Sequence, residues 1–152
     1  MLFRSRETSG ALREIFSNWS RANNNIGSSL FLGTSGISNV RLSDAFAPAG
    51  TLSKPSEPFL LTAVAGANGV EVFQNRREIA RQANPLAPRN LLPPYVVGQQ
   101  GDINGEFWNG DIFEIIAYNR ALSDKEREQV WEALNLRYGV APRSKPVDLA
   151  LA

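Results

Sequence analysis

The sequence predicts an all-β protein, an antiparallel β-sandwich of jelly-roll type with one C-terminal helix packed on the outside. Short apolar runs recur along the chain, and turn-forming residues separate them about every ten positions. Helical spacing of apolar residues occurs in one stretch near the C-terminus. At 152 residues, the chain can bury the core of a single domain. We expect that domain to span residues 1–140, followed by a linker or frayed tail over 141–152.

The first predicted strands follow a polar N-terminal region. Residues 1–27 mix Arg, Ser, Asn and Gly around one apolar run at Ile15-Phe16, and no strand is assigned there. Residues 29–33 and 40–43 have strand composition and flank the glycine of a turn. A loop rich in Pro, Ala, Gly and Ser is predicted over 47–58.

A β-hairpin is predicted next. The apolar segments 59–64 and 70–74 are separated by a reversal that ends in Asn68-Gly69, a pair that tolerates positive φ. A second reversal at Asn75-Arg76-Arg77 returns the chain into a strand over 78–80. Arginine at positive φ would cost on the order of 1 kcal/mol, so this turn is expected to be built differently from an Asn-Gly turn.

Two loops flank a short strand in the next part of the chain. The four prolines of residues 84–94 exclude a central strand or a helix. Residues 95–98 are predicted to form a short strand, and 99–109 a polar loop.

The closing segment carries the clearest local signals. Residues 112–118 are predicted to form a strand buried on both faces. Ser123 and Glu126 have the spacing of a capping box at a helix start, and Gly139 suits the left-handed residue that ends a helix. The apolar face of this helix is predicted to pack against the sandwich through Val130, Trp131, Leu134 and Tyr138.

Composition excludes several classes of function. Sixteen basic and fifteen acidic side chains give a net charge of +1, so no nucleic-acid partner is expected. The acids among the N-terminal arginines, Glu14 included, are interpreted as part of a mixed, solvated surface. Cysteine and histidine are both absent, which excludes disulfides, thiolate chemistry and histidine catalysis. No apolar run is long enough to span a membrane, and no signal peptide is recognised.

The closing segment resembles that of laminin-G-like domains, which are concanavalin A-like jelly rolls common in secreted and surface proteins of bacteria. The matching residues are Gly110, Ile112, Glu114, Ile116, Tyr118, Asn119, Arg120, Ala121, Leu122, Ser123 and Glu126. The resemblance implies an extracellular or cell-surface location. It also implies further strands ahead of Ile15. No strand is predicted there, so we expect the domain to be incomplete at its N-terminus.

The resemblance also brings a catalytic alternative, because laminarinase-type glycoside hydrolases share the jelly roll. They place three acids along one strand, and retaining chemistry needs two of them about 5–5.5 Å apart. Asp111 and Glu114 match the last two acids, but Asn109 stands where those hydrolases have their nucleophile. An amide cannot form the glycosyl ester. Glu114 is instead expected to accept hydrogen bonds from the Asn119-Arg120 turn or from backbone amides.

The polar loop 99–109 supplies the candidate site residues. Asp102, Asn104 and Glu106 place three oxygen side chains at alternate positions, as at the start of a calcium loop, although the rest of an EF-hand is missing. Calcium is therefore a possible cofactor, and a polar hairpin without metal is the alternative. A sugar could stack on Trp108. The residues predicted to bind a ligand are Gln100, Asn104, Glu106, Trp108 and Asn109.

Taken as a whole, the sequence favours a recognition module without catalytic activity. Its partner would be a glycan or a surface protein, within a larger secreted protein that supplies neighbouring domains. A purely structural spacer domain and a degenerate glycoside hydrolase are the alternatives.

Overall fold

A computed structural model describes residues 2–5, 11–19, 30–36, 38–42, 50–66, 69–83, 92–101 and 104–140. These residues form mostly β-strands in two antiparallel sheets, with one helix at the C-terminal end. The strands are β1 (Leu2–Ser5), β2 (Leu12–Ser17), β3 (Phe31–Ser35), β4 (Asn39–Leu42), β5 (Phe59–Gly66), β6 (Gly69–Gln74), β7 (Arg77–Gln82), β8 (Val96–Val97) and β9 (Gly110–Glu114), and the helix is α1 (Asp124–Tyr138). The predicted β-rich fold with a C-terminal helix is confirmed, whereas the jelly-roll connectivity stays a prediction.

In the described part of the chain, one sheet has five strands and the other has four. The larger sheet has the order β7-β6-β5-β1-β9, and the smaller has the order β4-β3-β2-β8. The main apolar cluster draws side chains from both sheets, so the sheets share one core. Its buried members are Ile15, Leu32, Val40, Leu42, Leu52, Phe59, Leu61, Val70, Val72 and Trp108.

Helix α1 packs through a second, smaller cluster. Trp131 and Leu134 are buried with Leu60 of β5, while Phe59 and Leu61 on either side of Leu60 belong to the main core. Because side chains alternate along a strand, this part of β5 buries one face in the core and the other against the helix. Val130 and Tyr138 also contact the helix cluster, as the helical spacing predicts.

Both ends of α1 follow the local signals. The Ser123 amide donates to Glu126 Oε2 at 2.9 Å, and the Ser123 hydroxyl accepts from the Glu126 amide, which completes the capping box. Gly139 follows the helix with φ of 63°. These sequence predictions are confirmed.

Two strand predictions in the larger sheet are wrong. A strand does precede Ile15, because β1 lies between β5 and β9 and pairs antiparallel with both. The strand predicted over 112–118 is β9, which ends at Glu114 and is half-buried instead of buried on both faces. The apolar residues after Glu114 still pack, since Ile115 contacts the main core and Ile116 the helix cluster.

The reversal between β6 and β7 is built on asparagine. Asn75 has a φ of 55°, whereas Arg76 is not among the described residues with positive φ. Asn75 Oδ1 also accepts a 2.9 Å hydrogen bond from the Leu60 amide. The expectation of a turn different from Asn-Gly is therefore confirmed, and the Arg76 side chain is left available for contacts elsewhere.

Candidate functional site

Trp108 does not present its ring to solvent. Its side chain is 9% exposed and belongs to the main core, while its amide donates to the Gly98 carbonyl at 2.8 Å. A sugar stacks on an exposed aromatic face. The predicted role as a sugar-stacking platform therefore does not fit the buried position of Trp108. Its neighbours Phe107 and Asn109 are the exposed side chains at this point of the loop.

Two other predicted loop residues, Gln100 and Glu106, lie in a polar cluster with Glu14 and Arg41. Glu14 of β2 and Arg41 of β4 are both paired in register with Gly33 of β3. Arg41 Nη1 reaches across that glycine to Glu14 Oε1 at 3.1 Å. The Glu14 side chain is completely buried, so its interpretation as part of a solvated surface is wrong.

Gln100 joins the loop to this ion pair. With its amide nitrogen facing the two carboxylates, it donates to Glu106 Oε2 at 2.6 Å and to Glu14 Oε1 at 3.1 Å. The opposite orientation would place the amide oxygen against carboxylate oxygens, so the hydrogen-bond network selects this one. The loop backbone is held at the same place, since the Glu14 amide donates to the Glu106 carbonyl at 2.9 Å.

Glycine at position 33 leaves the space that this cluster needs. A Cβ atom there would lie 2.0 Å from the Arg13 carbonyl oxygen and 2.6 Å from Glu14 Oε2. Any larger side chain would therefore displace both the neighbouring strand and the buried carboxylate. The cluster anchors Gln100 and Glu106 of the predicted loop on the smaller sheet. A buried carboxylate requires such an ion pair and hydrogen bonds.

The predicted calcium ligands are not assembled by the described residues. Glu106 Oε2 is bonded to Gln100, Asn104 is exposed, and Asp102 lies outside the described residues. Within the ranges that the structure describes, no group of three or more acidic side chains could hold a metal ion. Calcium binding therefore stays a prediction, and the carboxylate of Glu106, one of the predicted ligands, already accepts a hydrogen bond from Gln100.

The two acids of the hydrolase alternative are bonded to different elements. Asp111 Oδ2 accepts a 2.9 Å hydrogen bond from Arg4 Nε on β1. Glu114 Oε2 accepts from Arg137 Nη1 and from the Tyr138 hydroxyl on α1, both at 2.9 Å. The prediction that Glu114 binds the Asn119-Arg120 turn or backbone amides is thus wrong, and its partners come from the distant end of the helix.

An open hollow of about 330 Å³ lies between the segment 53–59 and the β6–β7 turn. Residues around it include Ser53, Lys54, Glu57, Asn75, Arg76 and Arg77. The Gln74 side chain joins its two walls, because it accepts from the Ser53 amide at 2.7 Å and donates to the Ser53 carbonyl at 2.6 Å. No sequence motif marks this hollow, since Ser53 and Gln74 on its two walls are 21 residues apart in the chain.

Arg76 at the rim of the hollow also secures the helix. Its guanidinium lies 3.8 Å from the centroid of the Trp131 ring and forms ion pairs with Glu128 and Glu132. Arginine over an indole face contributes about 0.5–1 kcal/mol at exposed sites. Arg76, which stands where an Asn-Gly turn would have its glycine, thus connects the β6–β7 turn to α1.

Comparisons with family models, with characterised proteins and with solved structures find no match to this chain. The similarity to laminin-G-like domains therefore rests on the residues of the closing segment. In the described part of the chain, no helix is long and apolar enough to cross a membrane.

Proposed function

We propose that this chain is a recognition module without catalytic activity, built as a laminin-G-like jelly roll, and that it binds a glycan. The observation that carries the proposal is the open hollow at the β6–β7 turn. Its walls present hydroxyl, amide and charged groups, which suit a polar ligand held by hydrogen bonds. Two antiparallel sheets sharing one core provide a rigid frame for such a site.

The carboxylate contacts also favour recognition over hydrolysis. Asp111 is engaged by Arg4 and Glu114 by two groups of the helix, so neither acid is held ready for proton transfer to a saccharide. Asn109, at the position of the nucleophile in laminarinase-type enzymes, is exposed and cannot form a glycosyl ester. The degenerate hydrolase is therefore the weaker alternative.

A secreted or cell-surface setting belongs to this proposal and rests on the resemblance. The module would then act beside neighbouring domains of a larger protein. Glycan binding in such folds depends on loops and turns, whereas the sheets set their position.

A glycan array followed by isothermal titration calorimetry tests the proposal. We expect at least one class of oligosaccharide to bind, and Asn75→Asp to weaken that binding because it replaces amide donors at the hollow with a carboxylate. Asn119→Asp makes the same change at an exposed residue that does not line the hollow. Absence of binding across the array, with and without calcium, would contradict the proposal.

A structural spacer is the second candidate, and one observation favours it. Tyr95, Val97 and Phe107 expose 45%, 56% and 50% of their surfaces near the edge strand β8, where a neighbouring domain could cover them. A spacer would bind no oligosaccharide in the array. It would instead show protection of Val97 from hydrogen exchange when adjoining domains are present.

A further inference from the structure

The hollow at the β6–β7 turn has an excess of positive charge. Among the described residues that line it, Lys54, Arg76 and Arg77 are cations and Glu57 is the one carboxylate. The chain as a whole carries a net charge of only +1, so this excess is local. A concave surface lined by one sign of charge raises the local concentration of ligands of the opposite sign.

The three cations differ in how strongly they are already engaged. Arg76 is committed to Trp131 and to two glutamates of α1. Lys54 is paired with Glu57 at 3.1 Å, but the two side chains are 72% and 62% exposed. An exposed pair of this kind is weak, so Lys54 can exchange Glu57 for another anion.

Arg77 is the cation with spare hydrogen-bonding capacity. It is exposed at the start of β7, and no carboxylate among the described residues forms an ion pair with it. Its guanidinium offers parallel N–H donors that match the two oxygens of a carboxylate. Beside it, Asn75 uses its side-chain oxygen to accept from Leu60, so the N–H donors of the same amide are not consumed by that bond.

The backbone around these groups is held in place. Gln74 fixes Ser53 through two hydrogen bonds, and the backbone N–H of Asn75 donates to the Leu60 carbonyl at 2.7 Å. Donors on a fixed frame lose less conformational entropy when a ligand binds.

We infer that this hollow binds a carboxylate-bearing saccharide. Arg77 holds the carboxylate, Lys54 adds positive charge, and the side-chain amide of Asn75 donates to sugar hydroxyls. The inference rests on the proposed glycan-binding function and narrows it to acidic glycans. Arg76 keeps its role in attaching the helix.

Calorimetry with an oligogalacturonate and with the corresponding neutral oligogalactoside tests the inference. We expect the acidic oligosaccharide to bind at least tenfold more tightly than the neutral one. Arg77→Gln and Lys54→Gln should each weaken binding of the acidic oligosaccharide, by about tenfold for Arg77→Gln. Lys125→Gln is the matched control, because Lys125 is an exposed cation that does not line the hollow.

The outcomes separate the inference from the proposed function. Equal binding of acidic and neutral oligosaccharides, unaffected by Arg77→Gln, would overturn the acidic specificity and leave glycan recognition in place. An equal loss in Lys125→Gln would overturn the assignment to this hollow, since it would indicate a general charge effect. If neither oligosaccharide binds while another glycan does on the array, the inference fails alone; if none binds, both fail.

Discussion

Replacing Gly33 by alanine should destabilise the protein through a steric conflict between two strands. The added Cβ would lie 2.0 Å from the Arg13 carbonyl oxygen, and the backbone would have to yield by more than about 1 Å to restore ordinary contact. It would also lie 2.6 Å from Oε2 of the buried Glu14 carboxylate, whose other oxygen pairs with Arg41. Gly33 has no positive φ, so backbone strain does not contribute.

Overpacking of this kind typically costs about 1–3 kcal/mol, and the disturbed ion pair adds to it. We expect a loss of about 3 kcal/mol for Gly33→Ala. For a domain of this length the melting temperature changes by about 2–4 °C per kcal/mol, which gives a decrease of roughly 6–12 °C. Urea denaturation and thermal melting followed by circular dichroism both measure the effect.

Gly66→Ala is the matched control for this substitution. Gly66 is also a strand glycine without positive φ, and among the described residues its added Cβ would meet only the Ala121 side chain, at 3.3 Å. We expect its free energy of unfolding to change by less than about 1 kcal/mol. A Gly33→Ala variant that melts with the wild type, or a Gly66→Ala variant that loses as much, would refute the packing described for Glu14 and β3.

Four further outcomes are expected. Leu134→Ala should reduce the free energy of unfolding by about 2–5 kcal/mol in urea titrations, because Leu134 is buried between α1 and β5; an unchanged midpoint would mean that the helix is loosely attached. The hydrogen bond from Arg120, with those from Ser123, lowers the pKa of Glu126 from 4.5 to about 2. A depressed carboxylate pKa adds stability above pH 4.5, so the advantage of the wild type over Glu126→Gln should disappear between about pH 4.5 and pH 2 in denaturation curves; a constant difference would contradict this. Thr34→Val should be neutral or stabilise by about 1 kcal/mol on thermal melting, since the buried Thr34 hydroxyl has no hydrogen-bond partner among the described residues; a loss above that size would reveal one. Millimolar calcium should leave the melting curve unchanged, with Asp102→Asn behaving as the wild type; a rise of several degrees that Asp102→Asn reduces would restore the calcium site.

The helix was predictable from sequence because its signals are local. The Ser123–Glu126 capping box lies within one turn, Gly139 ends the helix by its own conformational freedom, and the spacing of Trp131 and Leu134 marks the buried face. The hairpin of β5 and β6 is equally local. Such features depend on residues a few positions apart, so the spacing of residues in the sequence is enough to predict them.

The short strands were harder to predict. Leu2–Ser5 contains only two apolar residues beside an arginine and a serine, yet it pairs with β5 and β9 in the larger sheet. Strand pairing supplies partners to the backbone whatever the side chains are, so a short central strand need not have a strong pattern.

The polar contacts were decided by tertiary structure. Glu14 follows Arg13 in sequence and was interpreted as a surface acid. The register with Gly33 and Arg41 buries it instead, and Gln100, 86 positions away, donates a hydrogen bond to it. Trp108 is in a polar stretch, and its ring nevertheless enters the core. Sequence by itself therefore determined the β-rich class and the capped helix, which follow from short-range periodicity. The buried acid, the loop anchor and the charged hollow arise from residues distant in the chain, and only the pairing of strands and turns brings those together.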